Sequence, residues 1–192
     1  LATSGPPRAA VLQYLARTPE DVPELEPMLH QADWRELLVP GTRASAAEQR
    51  AAAAYLGRRW DGELDGLLDQ VRELPVPVQG AAVRGLGRRA ERRHLRDLGR
   101  LLDRRELRQD ARRALASYGP VALGELLDIL ADELRPYPAR STAYALLSRL
   151  PYQRNVDLVF TRLDRAESAT DRLAEALIPL LLRLRERNPA LR

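Results

Sequence analysis

Apolar residues recur along this chain at helical spacing, and the pattern itself recurs about every 30 residues. One series reads Leu64, Leu67, Leu68, Val71, then Leu95, Leu98, Gly99, Leu102. It continues as Leu123, Leu126, Leu127, Leu130, and then Val156, Val159, Phe160, Leu163. Every copy keeps the offsets 0, +3, +4 and +7, which mark one face of an amphipathic α-helix. A weaker copy near the start uses Val22, Leu25 and Leu29.

A second series alternates with the first. Leu15-Ala16, Leu56-Gly57, Leu86-Gly87, Leu115-Ala116 and Leu147-Ser148 each pair a leucine with a small residue. Four positions before each leucine stands Val11, Ala52, Ala82, Ala111 or Ala143, and Ala176 with Leu180 makes a sixth copy. Such pairs stack on one helical face, and the small residue lets a second helix come close. No alternating apolar–polar strand pattern is present.

Breaks fall where helix pairs should turn: at Pro19, Pro75 and Pro77, Gly119-Pro120, Pro136 and Pro138, and Pro151. Proline suits a first helical turn but not an interior. Ser45 with Glu48 forms a capping box, Ser168 with Asp171 a looser one, and Asp61 is placed to cap the Leu64 helix. Pro179 lies inside the last helix and should bend it, freeing the Glu175 carbonyl.

These signals predict an all-α chain with a single repeat domain over residues 1–192. Its units are approximately 6–31, 45–74, 78–103, 107–133 and 139–165, with a final helix at 169–187. Residues 32–44 form an insertion, which is a functional loop or a spacer. No unit can bury its apolar face alone, so stacking must build the core.

Units carrying Ala-x-x-x-Leu-Gly in one helix and Leu-x-x-Leu-Leu in the next resemble HEAT repeats. The closest resemblance is to the short bacterial kind found also in phycobilin-lyase-like proteins. It spans roughly residues 6 to 187. The resemblance implies a right-handed α-solenoid, an α–α superhelix of about five to six helical hairpins, with B helices lining its concave side. The stretch from Leu182 to Pro189 is similar to the ends of HEAT modules attached to bacterial nucleotide-carrier-like membrane proteins. Because the matching residues are core positions, the resemblance speaks for architecture more than for activity.

Composition narrows the chemistry. Cysteine is absent, which removes disulfides, thiolate catalysis and cysteine zinc sites. Two histidines leave little room for a histidine metal centre or a Ser-His-Asp triad. Phosphate-loop, zinc-protease and nucleophile-elbow motifs are missing, and Gly85-Leu86-Gly87 lacks the preceding strand and third glycine of a dinucleotide fingerprint. Asp61-Gly62-Glu63-Leu64-Asp65-Gly66 opens like a calcium loop, but its twelfth position is Arg72 instead of glutamate, so the acids read as a helix N-terminus. No cofactor and no metal are expected.

Charge is distributed unevenly. All 31 basic residues are arginine, which a GC-rich genome or selection for planar, bidentate recognition of phosphates or carboxylates would produce, and the formal net charge is +4. Residues 1–75 hold 8 Arg against 12 acids, residues 84–113 hold 12 against 5, and residues 114–192 hold 11 against 10. Within the basic block, Leu95, Leu98 and Leu102 point to the core, leaving Arg93, Arg96, Arg100 and Arg104 on the opposite face. Arg93–Asp97, Arg100–Asp103 and Asp110–Arg113 are spaced to pair and so offset part of the charge. The alternatives are a solvated helix face or a site for an anionic partner.

His94 reads as a surface or boundary histidine, its pKa depressed by cationic neighbours. His30 ends a helix, where a cation suits the dipole. Trp34, Trp60 and the tyrosines, with Tyr137 and Tyr152 flanking one helix, sit near turns and should fill gaps between helix pairs.

The reading is a non-catalytic scaffold or regulatory module that binds a protein partner, with an acidic surface favoured. Nucleic-acid binding, as in helical-repeat DNA glycosylases, stays open as the alternative, and a bilin-lyase-like chaperone role is a third. No run of apolar residues is long enough to span a membrane. The chain begins at Leu1, its only methionine is Met28, and it shows no signal-peptide pattern, so it reads as part of a longer bacterial protein in the cytoplasm.

Overall fold

The structure, a computed structural model, describes residues 34–149 together with Ile178 and Leu182. The expected unit at 6–31, His30, the Val156–Leu163 helix, the Ser168–Asp171 cap and the Pro179 bend lie outside the described residues. Those described are helical, with seven α-helices and no strand among them. By contacts the chain divides into two compact units, Leu1–His94 and Leu95–Arg192.

In the first unit, Trp34–Leu38 forms a 3-10 helix within the expected insertion. Its Leu37 and Leu38 are buried, and it lies against helix α1, Ala46–Arg59. This part of the insertion therefore belongs to the core. Helix α1 starts as expected: the Ser45 hydroxyl oxygen accepts from the Glu48 N–H at 3.2 Å, and the Glu48 carboxylate accepts from the Ser45 N–H at 2.9 Å.

Helix α2, Leu64–Val71, buries Leu64, Leu67, Leu68 and Val71, the four positions of the repeating pattern. Asp61 does not cap it. The N-cap position falls on Glu63, whose side chain makes no cap bond, while Asp65 lies in the first turn, where a carboxylate favours the dipole. The Trp60 indole instead closes the turn, its Nε1 donating to the Glu63 carbonyl at 2.8 Å.

Helix α3, Val76–Arg89, packs on α1 and α2. Its contact with α1 brings backbone against backbone. A Cβ on Gly57 would run into the Ala82 carbonyl oxygen, and one on Gly85 into that of Ala54. Past its end, Ala90 adopts a left-handed conformation with φ 54°. A 3-10 turn, Arg92–His94, completes the unit.

The second unit comprises α4 (Leu95–Leu101), α5 (Arg108–Ser117), a 3-10 turn (Gly119–Ala122), α6 (Leu123–Ala131) and α7 (Tyr137–Leu147). Helix α4 touches α5 and α6, and α7 touches α5 and α6. Leu98, Leu102, Leu115, Leu126 and Ile129 are fully buried, each worth about 1.5–3 kcal/mol over an exposed state. In each unit, like helices of successive predicted repeats touch: α1 with α3, α4 with α6, α5 with α7.

Candidate functional site

Leu95, Leu98, Gly99 and Leu101 turn one side of α4 inward. Helical spacing then places Arg96 and Arg100 on the other side, where both are exposed, and Arg104 is exposed just beyond the helix. Arg93 is also exposed but belongs to the first unit, where its Nε pairs with Glu91 Oε2 at 2.7 Å.

The expected ion pairs are rearranged. Arg100 Nη1 meets Asp97 Oδ1 at 3.2 Å instead of Asp103. Helix α4 ends at Leu101, so Asp103 leaves the helical face that spacing alone would give it. Asp103 is taken by Arg135, whose Nη1 lies 2.8 Å from its Oδ2. Arg93 joins Arg89 on Glu91, two residues away, in place of Asp97. Burial would raise the Glu91 carboxyl, but hydrogen bonds and charge from Arg89 and Arg93 outweigh it and hold its pKa below the ordinary glutamate value.

Part of the arginine excess is structural. Arg89 Nη1 donates to the Trp60 carbonyl at 2.6 Å, just past the end of α1. Arg108 Nε donates to the Leu102 carbonyl at 2.7 Å, just past α4. Arg135 Nη1 donates to the Gly99 carbonyl at 3.2 Å, in the last turn of α4. Carbonyls at helix C-terminal ends lack intrahelical donors, and each guanidinium satisfies one of them, with Arg89 and Arg135 also holding a carboxylate. Arg96 and Arg104 do no such work: among the described residues neither side chain has a hydrogen-bond or ion-pair partner.

Arg135 has a second consequence. It fastens the turn between α6 and α7 to the end of α4, and the Asp132 carboxylate braces the same turn by accepting the Leu134 N–H at 3.0 Å. This held turn presents Leu134 at 96% exposure and Tyr137 at 74%. Tyr137 therefore does not fill a gap between helices. Tyr55 and Tyr118 are buried, as junction aromatics should be. An apolar corner and an arginine row thus share the second unit.

One carboxylate lies under that row. Glu125 of α6 is half-buried against α4, where Gly99 makes room for it; an added Cβ would lie 2.5 Å from Glu125 Oε1. No described residue hydrogen-bonds its side chain. Burial, and then the nearby Asp128, raise its pKa above the ordinary glutamate value, against the pull of Arg135, Arg96 and Arg100.

His94 is fully buried, which corrects the expected surface or boundary placement. Neither ring nitrogen has a hydrogen-bond partner among the described residues, and Glu91 Oε2 stays 3.7 Å from Nε2. Burial first, and Arg93 second, lower its pKa. Helical periodicity stopped short of His94 because it lies in a 3-10 turn before α4.

Elsewhere in the first unit, a hollow of about 270 Å³ lies between Leu38, Pro40 and the end of α2. Asp69, Arg72 and Glu73 line it, and Arg72 is paired with Asp69 at 2.8 Å, so no single charge dominates. Among the described residues no group of three or more His, Cys, Asp or Glu is placed to hold a metal ion. No helix among them is long and apolar enough to cross a membrane. No known family model matches the chain, and no curated protein is significantly similar to it.

Proposed function

We propose that this chain is a non-catalytic HEAT-type module that binds an acidic protein segment through the arginine side of α4, as a scaffold or regulatory part of a larger bacterial protein. The right-handed solenoid of five to six hairpins within this proposal rests on the sequence repeat. Its support in the structure is the contact of like helices within each unit.

The observation that carries the reading is the joining of Leu134 and Tyr137 to the end of α4 by Arg135. Leucine or tyrosine anchors beside guanidinium groups suit a protein interface, where apolar side chains fill pockets and arginines line the rim. A phosphate backbone offers a leucine nothing. The charge argument alone would serve nucleic acid equally well; the exposed leucine favours protein.

The test is affinity capture from nuclease-treated lysate with wild type and two variants, R96E/R100E/R104E and L134S/Y137S. An acidic protein held by wild type and lost by both variants, with helicity unchanged, is the expected outcome. Capture that disappears on nuclease treatment, or that neither variant loses, contradicts the proposal.

A further inference from the structure

We infer that Glu125 is the internal counter-charge of the α4 arginine surface and gates its hold on an anionic partner, weakening that hold while ionised and strengthening it once protonated. The inference rests on the reading of α4 as the partner-binding surface and names how that surface is regulated.

The geometry begins with Gly99. Any other residue there would meet Glu125 Oε1 at 2.5 Å and Ile129 Cδ1 at 3.0 Å. Glycine lets the carboxylate settle against bare helix backbone, on a turn whose neighbours are Arg96 and Arg100. The other acids nearby are engaged. Asp97 is held by Arg100, while Asp103 and Asp132 are held by Arg135. Glu125 is the carboxylate that α6 aims at α4 without a hydrogen-bond donor among the described residues.

The charged groups around it come from each neighbouring element. Helix α4 supplies Arg96 and Arg100, α6 itself supplies Asp128, and the following turn supplies Arg135. Helix α7 carries one ionised side chain, Arg140, and the 3-10 turn before α6 carries none. Three guanidinium groups act on Glu125, yet burial and Asp128 still favour its neutral form. It therefore takes up a proton at higher pH than an exposed glutamate, and each protonation adds one positive charge to the field of the surface. Linkage works in both directions: an anion bound over Arg96 and Arg100 must raise the proton affinity of Glu125.

The probe is an octa-aspartate peptide, titrated into the full chain at about pH 7.5 and about pH 5, where the peptide stays mostly ionised. Wild type should bind at least about threefold more tightly at the lower pH, the effect expected of removing one like charge at partly screened distance. E125Q should bind more tightly than wild type at about pH 7.5 and change less between the two pH values. Its own pH response then reports the histidines, which both proteins share. An equal pH response in the two proteins overturns the gate and leaves the binding surface standing. Absence of binding by wild type, or full retention by R96E/R100E, overturns the surface and the gate together. A second measurement needs no ligand: the carboxyl-carbon NMR titration of Glu125 in wild type and in R96Q/R100Q. The midpoint should move up in the variant, and an unmoved midpoint overturns the gate whatever the binding data show.

Discussion

Gly57 and Gly85 mirror one another at the crossing of α1 and α3. Each lies on the main chain of the opposite helix, Gly57 over the Ala82 carbonyl and Gly85 over that of Ala54. The close approach leaves no space for a methyl group, and the obstruction is backbone, which cannot swing aside. Gly57→Ala and Gly85→Ala should each destabilise the first unit by about 3 kcal/mol, the upper part of the overpacking range. Gly124→Ala in α6 is the control, since a Cβ there meets nothing within 4 Å. It should stabilise by about 0.5–1 kcal/mol through helix propensity. Urea unfolding of the three variants checks both directions.

Ala90 ends α3 in the left-handed region at φ 54°, a conformation that costs a residue with a Cβ about 1 kcal/mol. Ala90 is exposed, so its methyl packs little. Ala90→Gly should therefore raise stability by about 0.5–1 kcal/mol, because glycine suits the position that follows a helix. A lower denaturation midpoint in the variant would contradict this.

Arg135 joins two segments more than 30 residues apart, with its side chain 17% exposed. Arg135→Met should cost about 1–2 kcal/mol, since it leaves the Asp103 carboxylate and the Gly99 carbonyl without this donor. Arg135→Lys should recover only part of the loss, because a single ammonium can replace the Nη1 contacts with Gly99 and Asp103 but not the separate Nε contact with Asp132. The same ordering should appear in hydrogen exchange of the α6–α7 turn, with arginine most protected and methionine least.

His94 and Glu125 make stability respond to acid in opposite directions. The folded pKa of His94 lies below the ordinary value of about 6.5, so its contribution is present above that value and is lost as pH falls through the lowered one. The folded pKa of Glu125 is raised, so its contribution is present below the ordinary value and is lost as pH rises through the raised one. Thermal melts at neutral and mildly acidic pH should show His94→Leu losing less stability on acidification than wild type. E125Q should exceed wild type most at neutral pH. Parallel pH profiles for wild type and His94→Leu would contradict the burial of an imidazole that stays neutral in the folded chain.

The helices were legible because their signals are local. Leu64, Leu67, Leu68 and Val71 are all buried, and so are Leu95, Leu98, Gly99 and Leu102. The Ser45–Glu48 cap depends on residues within one turn, and it forms as spaced. Predictions that needed a helix to continue, or a side chain to choose among partners, were less secure. Arg100 and Asp103 are three apart, yet α4 stops between them, and a guanidinium from beyond α6 reaches Asp103 first. Asp61 had the right chemistry for a cap, but the Trp60 indole takes over that turn. Of the candidate surface, the exposure of Arg96 and Arg100 could be read from period alone, whereas Arg104 is exposed beyond the helix that the period assumed. Leu134, Tyr137 and Glu125 could not, because their placement depends on Arg135 and on the gap at Gly99, both of them long-range contacts.

The central claim is that the arginine side of α4, with the Leu134–Tyr137 corner, recognises acidic protein in preference to nucleic acid. Its most direct test is fluorescence anisotropy with two labelled probes, an acidic peptide interspersed with leucines and a short DNA duplex, across a range of salt. The peptide should bind more tightly than the duplex at physiological salt and lose about tenfold or more in affinity to R96E/R100E/R104E. Tighter binding of the duplex with a steep salt dependence, or undiminished peptide binding by the charge-reversed protein, would contradict it.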